Sequence, residues 1–397
     1  MAEDPGDAQA NRRVVGIGVL GYGSMGRAHS TAWHRVAQAF WPPVLVPRLV
    51  AIAARSGTRV AEMAERFGYA VWRARWEDLV SDDRVEVFDN AGPNHLHAEP
   101  CIAAAKAGKH VLCEKPLARS GAEAYRMLEA VRAAGVVHMC GFNYRFLPAV
   151  RLAREVIEAG RLGRILQFRA RYLQSSLADP EFPFRWRSDR EQAGYGVLGD
   201  LGSHIVDLAR YLIGEPLRVT GSVAIFFADR PLEGEPTRRL PVTADDAFQA
   251  LLEFSGGATG MLEASKVCLG SKNRLEFEVN GIEGSLSFTL ERMNELALYL
   301  RADETTGLAG FRRIDVTDPT HPFVARWWPR HPLGWDQTFV HECAHLLEAI
   351  AGAGSVAPHG ATFEDGYRAA VICDAIAASA ERGAPVSIEY AGSGGAA

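Results

Sequence analysis

The feature that most constrains this chain is a glycine pattern at the end of its first apolar run. Residues 14–20 are β-branched and apolar, Gly21-Tyr22-Gly23-Ser24-Met25-Gly26 follows at once, and residues 24–39 have helical spacing. A strand that turns through GxGxxG into a helix opens a dinucleotide-binding βαβ unit. Gly21 permits the tight turn, Gly23 lets backbone N–H groups approach a pyrophosphate, and Gly26 lets helix and strand pack closely, with Ser24 and Met25 at the helix start facing the anion. The competing reading is a glycine-rich turn without a ligand. It loses ground because strands at 48–53, 85–89, 110–113 and 136–140 alternate with helices at 58–67, 96–107 and 121–134. That rhythm predicts an α/β Rossmann domain over 13–141, a doubly wound parallel sheet covered on both faces.

Beyond residue 141 strands dominate. After a helix at 148–159 they are expected at 165–172, 218–227, 246–254, 258–265, 273–280 and 284–290, several of them alternating polar and apolar, with Ser255-Gly256-Gly257 and Asn280-Gly281 as hairpin turns. Helices at 337–351 and 363–381 close the chain. The second domain, 142–390, is therefore α+β, with a large, open, mostly antiparallel sheet that self-association would cover. A homo-oligomer, dimer or tetramer, is expected. The acidic start 1–12 reads as a disordered tail and 391–397 as a flexible one.

A length of 397 residues suits two or three domains, and 48% hydrophobic with 23% charged residues is an ordinary globular composition. The net charge of -5 disfavours a nucleic-acid partner. No run approaches the roughly 18–20 apolar residues of a membrane span. Of the six cysteines none forms a CxxC pair, and Cys101, Cys113, Cys140 and Cys373 lie among apolar neighbours, as small buried hydrophobes of a reduced, cytoplasmic compartment.

Three further clusters carry chemistry. The second strand ends Ala53-Ala54-Arg55-Ser56. It lacks the carboxylate that accepts from a ribose 2'-OH, whereas Arg55 and Ser56 suit a 2'-phosphate, which favours NADP, or use of both cofactors, over strict NAD unless Arg55 only stacks on the adenine. Asn90 to His97, with Pro93, Asn94 and His97, and then Glu114-Lys115-Pro116, follow parallel strands at the carboxyl edge, where open α/β sheets bind ligands. A lysine there can hold a substrate hydroxyl or its developing oxyanion. Asp200 and His204 are spaced i, i+4 at the start of a helix, so an acid can orient an imidazole able to take a hydroxyl proton; a helix cap with an incidental histidine is the plainer alternative.

NAGPNHLHAEPCIAAAKAGKHVLCEKPLA followed by LGDLGSHIVDLARYLIG resembles the Gfo/Idh/MocA oxidoreductases, over nearly all of the chain after residue 13. GFNYRFLPAV through WRSDREQAGYGVLGDLGSHIVDLA is similar to a subgroup containing inositol and levoglucosan dehydrogenases. The resemblance implies a Rossmann domain, a C-terminal α+β domain, NAD or NADP as cofactor, and oxidation or reduction of a secondary alcohol of a sugar or cyclitol. Carried over by position, Lys115, Asp200 and His204 match the family's catalytic lysine, acid and histidine. Gly92 stands where threonine is common, and the acid after the second strand is missing. Asn143, Tyr144 and Arg145, then Tyr172, Trp186 and Arg187, are assigned either to packing or to the cofactor (Asn143) and a polyol pocket (the rest).

Two rival readings remain. His341-Glu342-Cys343-Ala344-His345 satisfies HExxH, the zinc-peptidase helix, but no third ligand is signalled, so no metal is expected. A non-catalytic NAD(P)-binding sensor would have lost Lys115, Asp200 or His204, and all three are present. Trp327, Trp328 and Trp335 are expected to pack or to meet another subunit.

Overall fold

The computed structural model describes residues 12–324 and 329–391. Nearly all of both expected tails, and Trp327 with Trp328, lie outside the described residues. By contacts the chain forms two compact units, one of residues 1–117, 126–146 and 334–364, the other of 118–125, 147–333 and 365–397.

The first unit holds six parallel strands: β1 (Val14–Leu20), β2 (Val46–Ala53), β3 (Val71–Arg73), β4 (Val87–Asn90), β5 (His110–Glu114) and β6 (His138–Gly141), in the order β3-β2-β1-β4-β5-β6. This is the doubly wound order whose strand reversal lies beside β1. β1 is buried over six of its seven residues, as a strand covered on both faces must be. Helices α1 (Ser24–Ala39), α2 (Gly57–Phe67) and α3 (Ala98–Lys106) connect the strands, and α4 (Gly121–Ala134) precedes β6. A late helix, α7 (Gln337–Ile350), packs on α1 in this same unit, although chain order places it in the second domain. Its apolar side, with Phe339, Val340 and Leu347 buried, finds its partners there.

The second unit is built on a nine-stranded sheet among the described residues. Its members are β7 (Ile165–Leu173), β8 (Pro216–Ala224), β11 (Ala247–Phe254), β12 (Thr259–Ser265), β13 (Arg274–Gly281), β14 (Gly284–Thr289), β15 (Glu295–Leu300), β16 (Arg312–Asp315) and β17 (Val386–Ser387). The order is β16-β15-β14-β13-β7-β12-β11-β8-β17, antiparallel except for the β7–β12 pair. A separate hairpin joins β9 (Asp229–Leu232) to β10 (Glu235–Pro241). One sheet face packs on α5 (Pro148–Glu158), α6 (Ser203–Leu212) and α8 (Phe363–Arg382). The other presents Leu217, Leu251 and Met261 to solvent, so burial along β11 alternates residue by residue. No helix among the described residues is long and apolar enough to cross a membrane.

Candidate active site

The glycine turn of the first unit behaves as its sequence requires. Gly21 has φ +107°, and a Cβ there would lie 2.6 Å from the Ala91 carbonyl oxygen; one on Gly26 would lie 2.2 Å from that of Gly21. Both must be glycine for the turn and the helix to close. A Cβ on Gly23 would meet nothing within 4 Å, so the bare backbone at 23 serves no packing need. Gly23 is the N-cap of α1, makes no side-chain cap, and is followed by no acid in the first turn. A pyrophosphate fits this cradle: open backbone, uncapped N–H groups and a favourable helix dipole. Ser24 is exposed and Met25 half-buried beside it.

At the end of β2, Arg55 is exposed and Ser56 is the N-cap of α2 without using its hydroxyl as a cap. Arg73, on β3, takes the Ala54 N–H on its carbonyl at 3.1 Å and adds a second guanidinium to this edge. Sequence reading missed it because β3 has only three residues.

After β4 the chain is pinned by its own polar groups. Asn90 Oδ1 accepts the Gly92 N–H at 3.1 Å, and a Cβ on residue 92 would come within 3.0 Å of that oxygen, so glycine at 92 leaves room for the Asn90 amide. His97, fully buried, spans the Gly92 and Pro116 carbonyls at 3.0 and 2.9 Å and ties this loop to the turn after β5. Its ring nitrogens are thus engaged by backbone, and Pro93 and Asn94 lie within the loop it holds. Asn143 donates to Thr338 Oγ1 at 2.8 Å, and Tyr144 and Arg145 are buried beside it in sequence.

Glu114, the last residue of β5, uses both carboxylate oxygens: Oε1 faces His29 Nε2 at 3.0 Å and Oε2 accepts the Lys115 backbone N–H at 3.0 Å. Burial disfavours its charge, but His29 outweighs burial and holds the carboxyl below its usual range. Lys115 itself is half-buried.

In the second unit a single π-type turn, Leu198–Gly202, runs directly into α6 and carries Asp200 ahead of His204. Such wider turns often sit at functional sites. It is set by Asp245, whose buried carboxylate accepts from Gly196 N at 2.7 Å and Leu198 N at 2.6 Å. Asp200 is paired with Lys266 Nζ and faces Arg187 Nε at 3.6 Å. The Arg187 guanidinium in turn lies 4.2 Å from the Trp186 ring centroid, and the Tyr172 ring lies 5.9 Å from that of His204, which is buried. The Tyr172 hydroxyl donates to Asn273 Oδ1 at 2.7 Å. Of the residues expected to line a polyol pocket, Tyr172 therefore lies beside His204, while Trp186, Arg187 and Asp200 form a linked set with Asp200 one turn ahead of His204. Lys266 was missed by sequence reading; a lysine just past a strand looks like a solvated end, and only its burial beside Asp200 singles it out.

The HExxH helix is occupied differently from a zinc site. His341 Nδ1 faces the Phe146 carbonyl at 3.2 Å, His345 Nε2 faces that of Val356 at 2.8 Å, and Glu342 is buried with neither oxygen hydrogen-bonded. Trp335 is 40% exposed and stacks edge-on against Phe339 at 4.9 Å.

A Rossmann cradle for a dinucleotide, with an α+β unit holding a half-buried acid and a buried histidine and lysine, defines the class of nicotinamide-dependent oxidoreductases. The chain belongs to the Gfo/Idh/MocA oxidoreductase family: residues 15–142 match the oxidoreductase family NAD-binding Rossmann fold, and 150–287 match the GFO/IDH/MocA C-terminal domain. It is 41% identical over 381 residues to levoglucosan dehydrogenase of Pseudarthrobacter phenanthrenivorans, covering 93% of this chain and 96% of that protein. A solved levoglucosan dehydrogenase in complex with NADH and L-sorbose superposes with a TM-score of 0.91 at 41% identity, over 95% of this chain and 100% of that one. Myo-inositol 2-dehydrogenase of Thermotoga maritima is 29% identical over 294 residues, 72% of this chain and 81% of that protein.

Proposed function

We propose that this oxidoreductase is a dehydrogenase that oxidises a secondary alcohol of a sugar, anhydrosugar or cyclitol, with levoglucosan and myo-inositol as the first substrates to try. The observation that supports the reading is a buried His204 beside the Tyr172 ring and one turn after Asp200, which Lys266 and the Trp186-stacked Arg187 face, a set that would offer charge, hydrogen bonds and aromatic faces to a polyol. In this reading Lys115 binds the reacting oxygen and stabilises its developing charge, His204 takes the hydroxyl proton, and Asp200 orients His204. A bound nicotinamide supplies the hydride acceptor, so the carbinol loses a proton and a hydride and becomes a ketone. Gly21, Gly23 and Gly26 would seat the pyrophosphate. A relative solved with NADH and a ketose supports this class of ligands.

Lys115→Ala and His204→Ala should abolish formation of reduced nicotinamide on a panel of pyranoses, anhydrosugars and cyclitols while leaving cofactor binding intact. Binding of NADH without turnover of any panel member by the wild type would favour the sensor reading instead. We further propose that NADP(H) binds at least as well as NAD(H), supported by Arg55, Ser56 and Arg73 at the end of β2. Ala54→Asp should move preference toward NAD by repelling a 2'-phosphate; wild-type binding of NAD tighter by about tenfold, some 1.4 kcal/mol, would overturn this. Self-association through the exposed face bearing Leu217, Leu251 and Met261, in a cytoplasmic enzyme with six free thiols, completes the proposal.

A further inference from the structure

His29, on α1, is fully buried and has a carboxylate on each side of its ring. Nδ1 lies 2.9 and 3.1 Å from the two oxygens of Asp89 on β4, and Nε2 lies 3.0 Å from Glu114 Oε1 on β5. Trp33, one turn along α1, donates its indole N–H to Asp89 Oδ2 at 2.7 Å. A neutral imidazole has one N–H and one lone pair, so it would turn a lone pair against one of these carboxylates. Two acceptors facing both nitrogens call for two N–H donors, that is, for imidazolium. Without that charge, Asp89 and Glu114 would be two buried carboxylates on adjacent strands with nothing between them, an arrangement that cannot stay doubly ionised. Burial opposes the charge on His29, but Asp89 and then Glu114 outweigh it and hold the ring well above its usual pKa.

The second oxygen of Glu114 accepts the Lys115 N–H, and Gly141 on β6 lies close against the Glu114 backbone, where a Cβ would come within 3.2 Å of Glu114 Cα. A continuous chain of contacts therefore runs from α1 through two strand ends to the backbone of Lys115. The glycine turn opens α1, so the same helix that begins at the dinucleotide cradle also reaches the lysine.

We propose that His29 is a positioning residue for Lys115: it clamps Asp89 and Glu114 together, and the clamped Glu114 fixes the Lys115 backbone at the end of β5. The proposal rests on the reading of Lys115 as the group that binds the reacting oxygen. A misplacement of about 1 Å in such a group can lower a rate by roughly a hundredfold. Most polyol contacts in that reading are assigned to residues other than Lys115, so the effect is expected mainly in kcat and only to a small extent in KM.

The test uses the full-length protein with His29→Gln and, because a buried ion cluster is being opened, Glu114→Gln as a second variant that keeps the side-chain shape. Two quantities are read: kcat and KM on the best substrate of the panel, and residue-resolved hydrogen exchange of the Lys115 amide. The expected result is a kcat lower by about tenfold or more, with KM within about threefold, and faster exchange at Lys115 than in the wild type. Should His29→Gln fail to fold, Glu114→Gln alone decides. Wild-type kcat in a folded variant, or a Lys115 amide as protected as before, would overturn the clamp. Lys115→Ala is run alongside. If it keeps full turnover, the reading of Lys115 as oxygen-binding group is what has failed, whereas the exchange measurement still judges the clamp by itself.

Discussion

Replacing Glu342 by glutamine should make the protein more stable, by an amount that depends on pH. Glu342 projects from α7 with 1% exposure and neither carboxyl oxygen hydrogen-bonded. Burial, reinforced by the nearby charges of Glu114 and Asp89 and only partly offset by His29, lifts its pKa well above the ordinary 4.5. Above pH 4.5 the unfolded chain releases this proton and the folded chain keeps it. The folded state then binds more protons than the unfolded one, so stability falls as pH rises, by about 1.4 kcal/mol per pH unit, until the folded group itself ionises. The cost therefore grows with every pH unit over which the folded carboxyl keeps the proton that the unfolded one has lost, and it is smallest near pH 4.5. Glutamine has the same shape, leaves a similarly unpaired polar group, and does not titrate. Glu342→Gln should therefore raise the melting temperature more at pH 7 than at pH 5, by roughly 3–6 °C for each pH unit over which the folded group stays protonated, taking about 2–4 °C per kcal/mol. Calorimetric scans at the two pH values in buffers of equal ionic strength measure the difference. An equal shift at both, or a loss of stability at pH 7, would refute the assignment of a protonated Glu342.

Two other expectations follow from distances already given. Gly23→Ala should leave the melting temperature unchanged, because its Cβ meets no protein atom, while weakening NADH binding by about tenfold or more; Gly26→Ala, whose Cβ would sit 2.2 Å from a carbonyl oxygen, should lower both. Fluorescence titration beside a thermal scan separates the two cases, and equal NADH affinity in Gly23→Ala and wild type would remove the pyrophosphate from that turn. Lys266→Met removes the closer of two cations from a half-buried Asp200 and leaves Arg187, so it should cost about 1.5–3 kcal/mol, with Lys266→Arg recovering part of it; wild-type stability and kinetics in the methionine variant would show that Asp200 does not depend on this pair.

The first unit was legible because most of its strands are buried, apolar and punctuated by helices, and because two glycines of the turn have steric reasons to be there. What escaped was short or polar. β3 has three partly exposed residues, and β10 is exposed along nearly its whole length, so neither carries a periodic signal. The spacing of Asp200 and His204 suggested a regular helix, whereas a π-type turn precedes α6. Nothing in LGDLG announces that change of pitch; Asp245, 45 residues on, imposes it by taking the Gly196 and Leu198 amides. His29 and Lys266 were invisible for a related reason. Each is an unremarked residue in its own element and acquires meaning only from a carboxylate that the tertiary fold brings to it.

The placement of α7 in the first unit has a consequence for synthesis. Residues up to 146 leave the ribosome before 190 others, 147–336, and only then does α7 appear. At about 5–20 residues per second that interval lasts roughly 10–40 s. Throughout it the side of α1 that later meets Phe339 is uncovered, and His29 lies beside a ring contact, 5.5 Å between centroids, that has yet to form. Chains stalled before residue 337 should be cleaved within α1 by proteases that spare chains extended past 364, so the helix that opens at the glycine turn is also the last to be sealed.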